Sequence, residues 1–225
     1  MNRHAMDHPA FFRNIARAAS RQTRFLAPRF LAPLALAGAL SLAGCDSGPK
    51  PGDPPLAGAE LGGDFTLTDE TGKTVHAADF AGRYTVFYFG YTFCPDVCPM
   101  DAANLMQGYH RFAHDHPDLA KRVVPLFVTI DPARDTPAVL ATFTDAFGKE
   151  LVGLTGTPAQ IAAVAKEFAV YSEKRPAPKG TPPEAYLMDH SRAAYLMGPD
   201  GKPIALLPVE QSGQAVATEL ARWVH

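Results

Sequence analysis

Cysteine is scarce in this chain: three in 225 residues, at positions 45, 94 and 98. So few leave no disulfide framework on which to build a fold. The two that lie close together would close a loop too small to remove much denatured-state entropy, so stabilisation is a poor reason for them. Long apolar runs are missing too. The stretch "FLAPLALAGALSLAGC", residues 30–45, is shorter than the roughly 20 residues that cross a bilayer, and Pro33 interrupts it. There are no internal repeats. Positive charge is in short supply once the first 44 residues are set aside. The whole chain carries 21 basic and 23 acidic residues, and the segment before Cys45 holds six of the former and one of the latter. What remains is 15 against 22, a net charge of −7. Binding to a phosphate backbone needs the opposite sign, which disfavours nucleic acid as a partner; a cationic ligand or a basic protein patch suits the domain better.

What is present begins with a leader. Residues 1–29 hold six arginines against the single acid Asp7. A basic region, a short apolar run and small residues before a processing site describe a secretory signal. The closing "LAGC" resembles the lipobox of bacterial lipoproteins. That resemblance implies cleavage after residue 44 and lipidation of Cys45. The alternative is an uncleaved anchor. Residues 45–63 carry Pro49, Pro51, Pro54 and Pro55 without apolar periodicity, as in a tether. The expected organisation is a signal peptide at 1–44, a tether at 45–63 and one domain at 64–225, a size ordinary for a single core.

Within that domain, "DFTLTDE" and "KTVHAADF" flank Thr71-Gly72 and predict a hairpin. "YTVFYFGY" (84–91) and "VVPLFVTI" (123–130) are continuously apolar, as strands buried on both faces are. Leu105, Tyr109 and Phe112 fall at helical spacing after the cysteines. Thr-Pro pairs at 136–137 and 157–158 predict capped helix starts. After a Pro-rich loop at 174–186, a hairpin around Pro199-Asp200-Gly201 and a helix from about Ser212 to Trp223 close the chain. The fold class is α/β, a mixed central sheet flanked by helices with an N-terminal hairpin. Ligands in such folds favour the carboxyl ends of the strands.

Residues 88–100 read "YFGYTFCPDVCPM". Cys94 follows a buried strand. Pro99 fits a first helical position, which sets Cys98 at the cap and Asp101 in the first turn. Both sulfurs then face a helix N-terminus, which favours thiolate, the form that binds soft metals or attacks disulfides. Outside the cytoplasm such a pair can be oxidised to a Cys94–Cys98 disulfide. A soft ion such as Cu(I) takes sulfur ligands and imidazole suits copper and zinc, so a third ligand is sought among His76, His110, His114, His116, His190 and His225. His110 and His114 are four apart but well down a charged helix, where a solvated face is the simpler account. His190 opens a late strand after the Pro-rich loop and can reach the cysteines from elsewhere in the chain. The residues alone leave it open between ligand and core histidine. Met106 and Met197 read as core; Met100 and Met188 stay open as soft donors.

"YFGYTFCPDVCP", "VTIDPARDTP" and "YLMDHSRAAYLMGPDGK", in this order, resemble the Sco/SenC family. The resemblance implies a thioredoxin-like fold, and copper, as Cu(I) or Cu(II), held by the redox-active pair Cys94 and Cys98 with His190. It implies delivery of copper to, or thiol reduction of, the binuclear copper site of cytochrome c oxidase subunit II or another copper-site apoprotein. With the leader, it places the protein as a lipoprotein on the outer, periplasmic face of a bacterial inner membrane. Asp131 and Asp135 match that family's DPxRD segment, either positioning loops or serving as turn and cap acids. Competing readings are a thiol–disulfide oxidoreductase, a peroxide-reducing enzyme and a redox or copper sensor. The first is disfavoured by C-x-x-x-C in place of C-x-x-C. The second lacks an identified arginine partner beside Thr92.

Overall fold

Seven consecutive residues, Tyr84–Gly90 (β3), are buried without exception, which requires cover on both faces. The structure is a computed structural model that describes residues 52–225. The signal peptide, the proposed lipidation site Cys45 and residues 46–51 of the tether lie outside the described residues.

β3 lies between Val123–Thr129 (β4), parallel to it, and Ala194–Met197 (β8), antiparallel. Val152–Thr155 (β5) adds parallel to β4. The N-terminal hairpin, Thr66–Asp69 (β1) and Thr74–His76 (β2), joins through β1 antiparallel to β5. Pro203–Leu207 (β9) pairs with β8 at the other edge. The result is one seven-stranded mixed sheet in the order β2-β1-β5-β4-β3-β8-β9. Pro125 is tolerated inside β4 because β5 begins pairing only at Leu126, so the residue without an N–H has a strand neighbour on one side only.

The helices are Val97–Asp115 (α1), Pro117–Ala120 (α2), Pro137–Asp145 (α3), Pro158–Glu167 (α4) and Gly213–Trp223 (α5). Thr136 and Thr157 cap α3 and α4, each followed by proline at the first helical position, as the Thr-Pro pairs predict. α1 and α5 cross closely at two glycines. A Cβ on Gly108 would lie 2.5 Å from the Val216 side chain and 2.8 Å from the Gly213 carbonyl oxygen. Phe87, Phe89, Phe168 and Tyr195 form an aromatic cluster with centroids 4.5–6.5 Å apart. Met106 and Met197 are core residues, 1% and 2% exposed. Among the described residues no helix is long and apolar enough to cross a membrane.

Three sequence expectations are corrected. The expected tether does not run free to residue 63: the Leu56 amide donates to the Ile204 carbonyl, the Gly62 amide to Glu167, and Leu56 and Leu61 pack on the core. Two isolated leucines suffice as anchors where no periodicity announces them. The Pro-rich loop is shorter than 174–186, because Ser172–Arg175 (β6) pairs antiparallel with Leu187–His190 (β7) in a separate two-stranded sheet. β6 is exposed throughout and has no apolar alternation to reveal it. His190 therefore closes a strand and does not open one.

Candidate metal centre

The carboxyl ends of β3 and β4 set the floor of the site, as expected for a parallel pair. After Gly90 the chain turns through Tyr91–Asp96 into α1. The helix starts at Val97, two residues earlier than Pro99 predicts. The first four amides of a helix have no partner within it, so a proline at the third position costs no hydrogen bond. Asp96 makes no side-chain cap. The Cys98 amide instead donates to Cys94 Sγ at 3.4 Å, so that sulfur accepts from the helix N-terminus.

Cys94 is half-buried and Cys98 fully buried; both are free thiols. Gly90 lies under Cys98: a Cβ there would come within 3.2 Å of Sγ. The expectation that the helix end favours thiolate at both sulfurs fails at Cys98. Burial pushes its thiol well above the usual range, although a backbone hydrogen bond from Tyr91 and the Tyr88 hydroxyl pull the other way. Desolvation outweighs the helix end where no cation stands beside the sulfur.

β7 brings His190 to the same point. Its Nε2 lies 3.2 Å from Cys98 Sγ. Its Nδ1 lies 2.9 Å from the Ser191 carbonyl, which can only accept, so Nδ1 carries the proton and Nε2 presents a lone pair. Burial lowers the imidazole's pKa, which keeps the ring neutral near pH 7. The S–H of Cys98 is then the donor to Nε2. Tyr91 packs edge-on to the ring at 6.0 Å between centroids. The three donor atoms lie within 4.8 Å of one another. Two sulfurs and one neutral imidazole suit a soft ion such as copper. An imidazole whose other nitrogen is fixed by a carbonyl is oriented as metal-binding histidines are.

The other histidines stay apart. His110 pairs with Glu150 and His114 with Asp115, both on exposed surface. His76 meets Thr66 in the hairpin, and His116 packs on Phe112. The His225 carbonyl accepts from Tyr84 at the opposite end of β3. Met100 is 56% exposed and Met188 half-buried.

The two aspartates of "DPARD" prove to hold loops. Asp135, fully buried, accepts from the Thr92 amide at 3.0 Å, the Thr92 hydroxyl at 2.6 Å and the Thr129 hydroxyl at 2.6 Å. It thereby ties the cysteine loop to the end of β4. Asp131 accepts from Arg134 Nε at 2.5 Å and the Tyr186 hydroxyl at 2.7 Å. Sequence reasoning missed the partners of both, and a third unit entirely. Asp101, with no exposed surface, accepts from the Tyr88 hydroxyl at 2.9 Å and from two nitrogens of Arg192. Its signal was an acid facing the core three residues after Cys98, which the misplaced helix start obscured.

The family described as SCO1/SenC matches residues 54–225. The protein SenC of Rhodobacter capsulatus is 44% identical over 144 residues, 64% of this chain and 61% of that protein. The structure of Bradyrhizobium japonicum ScoI with copper bound is 36% identical, with a TM-score of 0.64, over 73% of this chain and 99% of that one. The crystal structure of yeast Sco1 with copper bound is 32% identical, with a TM-score of 0.63, over 73% and 88%. The fold is thioredoxin-like, with a mixed central sheet and flanking helices. This chain spans between 46% and 61% of the length of the first curated relatives it matches.

Proposed function

Since the chain belongs to the SCO1/SenC family, we propose that it carries copper on Cys94, Cys98 and His190 and delivers it to the binuclear copper site of cytochrome c oxidase subunit II, or keeps the thiols of that site reduced. One observation carries the reading: two sulfurs and the unprotonated Nε2 of a neutral imidazole converge within 4.8 Å. ScoI and yeast Sco1, relatives above 30% identity, have been solved with copper bound. A thiol–disulfide exchanger needs no third donor, so the open imidazole nitrogen favours the metal carrier.

Copper is cargo here. Cys94, half-buried at the mouth, meets the ion first. Cys98 gives up its proton on binding, and His190 completes the set without losing one. Release reverses this order toward an acceptor that approaches over Cys94. The leader supports attachment through lipid on Cys45 to the periplasmic face of a bacterial inner membrane. Cys45→Ser should release the protein from membranes without altering its copper site.

The test is an anaerobic copper titration of the reduced chain. One equivalent should bind tightly, and Cys94→Ser or Cys98→Ser should each abolish it. His190→Ala should keep Cu(I), which two thiolates can hold in near-linear geometry, and should lose or spectroscopically alter Cu(II), which prefers nitrogen among more ligands. Absence of stoichiometric binding overturns the proposal.

A further inference from the structure

The β6–β7 hairpin that carries His190 has little to hold it in place. A lone two-stranded sheet is marginal in water, and β6 is exposed at every residue. Within it Met188 packs on the core and Tyr91 meets the His190 ring, and its loop side has a further anchor in Arg134.

Arg134 lies in the "DPARD" turn after β4, with its side chain only 13% exposed. Nη1 donates to the carbonyl oxygens of Glu184 at 3.0 Å and Tyr186 at 2.9 Å. Those two residues lead directly into β7. Nε donates to Asp131, which also accepts from the Tyr186 hydroxyl. The guanidinium carbon lies 3.6 Å from the Tyr186 ring centroid, 4.7 Å from Phe93 and 5.7 Å from Tyr91. Phe93 immediately precedes Cys94, and Tyr91 packs against the His190 ring. Nη2 is buried with no hydrogen-bond acceptor, so part of the charge is answered by aromatic faces. One side chain thus touches the cysteine loop through two rings and the histidine hairpin through two carbonyls and a third ring.

We propose that Arg134 is a positioning residue for the metal site, fixing the His190 hairpin against the cysteine loop. This rests on the reading of His190 as a copper ligand. A planar fork with several donors and two faces is what the arrangement uses. A lysine could keep the charge and one hydrogen bond, but not the two carbonyl contacts together with the stacking. Arg134→Lys is therefore a discriminating change.

The experiment compares the parent chain with Arg134→Lys, Tyr186→Phe and His190→Ala. Amide hydrogen exchange is measured without metal, and Cu(II) spectra and affinity are measured with the copper ion alone. Arg134→Lys should speed exchange about tenfold in residues 172–190 and leave β3 and β4 unchanged. It should move the Cu(II) spectrum toward that of His190→Ala, weaken Cu(II) binding about tenfold, and change Cu(I) binding less than threefold. Tyr186→Phe, which removes only the hydroxyl on Asp131, should shift both readouts the same way by less, and it decides the matter if the lysine variant fails to fold. Parent-like exchange, or faster exchange with a parent-like Cu(II) spectrum, overturns the proposal. A parent-like spectrum in His190→Ala instead sinks the ligand reading, and exchange alone then judges Arg134.

Discussion

Arg192 grips both carboxylate oxygens of Asp101, with Nε 2.9 Å from Oδ2 and Nη2 2.6 Å from Oδ1, across 91 residues of sequence. The pair joins the first turns of α1, just past Cys98, to the segment just past His190. Asp101 has no exposed surface, whereas Arg192 is more than a third exposed, so the loss on breaking the pair is below that of a fully buried bridge. Asp101→Asn keeps the shape, removes the charge and turns one acceptor into a donor facing Arg192. Chemical denaturation should show a loss of about 1–3 kcal/mol. Unchanged stability would mean the contact is ornamental.

Gly90 is where fold and site compete for one volume. An added Cβ would meet the Tyr88 ring at 3.0 Å, the Phe127 ring at 3.1 Å and Cys98 Sγ at 3.2 Å. Tyr88 and Phe127 are fully buried and cannot swing away. Gly90→Ala should cost about 1–3 kcal/mol and displace Cys98, weakening copper binding. Gly108→Ala, which crowds Val216 and the Gly213 backbone, should destabilise the α1–α5 crossing while the folded fraction binds copper normally. Equal copper affinity in both folded variants would refute the special place of Gly90.

Burial raises the Asp135 carboxyl above the usual carboxylate range, in spite of the donors from Thr129 and Thr92. The folded state then holds that proton more tightly than the unfolded chain does. The sign follows: this group's stabilising contribution is full below the ordinary aspartate value of about 3.9 and is lost as pH rises through the raised folded value. Denaturation of the parent and of Asp135→Asn across pH 4 to 7 isolates the contribution. The parent should lose stability relative to the variant as pH rises over the acid part of that range. Parallel curves would show that the hydrogen bonds cancel the burial.

Much of the layout was legible in the residues. Unbroken apolar runs marked β3 and β4 because a strand covered on both faces has no polar side to show. Thr-Pro pairs marked α3 and α4 because cap and first position each have a local chemistry. The convergence of the cysteines and His190 was legible only through the resemblance of three segments, since spacing alone left His190 undecided. What stayed hidden depends on contacts distant in sequence. Nothing near Asp101 announces Arg192, and nothing near Arg134 announces the carbonyls of Glu184 and Tyr186 some 50 residues on. The raised Cys98 thiol was misjudged for the same reason. A helix terminus can be read locally, but burial by Tyr88, Tyr91 and the β7 hairpin cannot.

On the proposed copper reading, Cys98 would tie copper loading to protons. Burial keeps its sulfur as S–H near neutral pH, and its hydrogen bond runs to the unprotonated Nε2 of His190 at 3.2 Å. Burial also lowers the His190 pKa from its ordinary value, so protons do not compete for that nitrogen above about pH 6.5. An ion entering the site must therefore displace the Cys98 proton. Metal and proton compete, so apparent Cu(I) affinity should rise with pH, about tenfold per unit for each proton released. A competition titration at pH 6.5, 7 and 8, corrected for the competing chelator's own protonation, measures the slope, and an indicator in weak buffer counts the protons. Oxidation of Cys94 and Cys98 to a disulfide uses both sulfurs, so the oxidised chain should bind copper at this site weakly or not at all and release no protons. A pH-independent affinity would show that Cys98 is already a thiolate in the folded protein, against the burial argument. Equal copper affinity in the disulfide and dithiol forms would remove the two sulfurs from the site altogether.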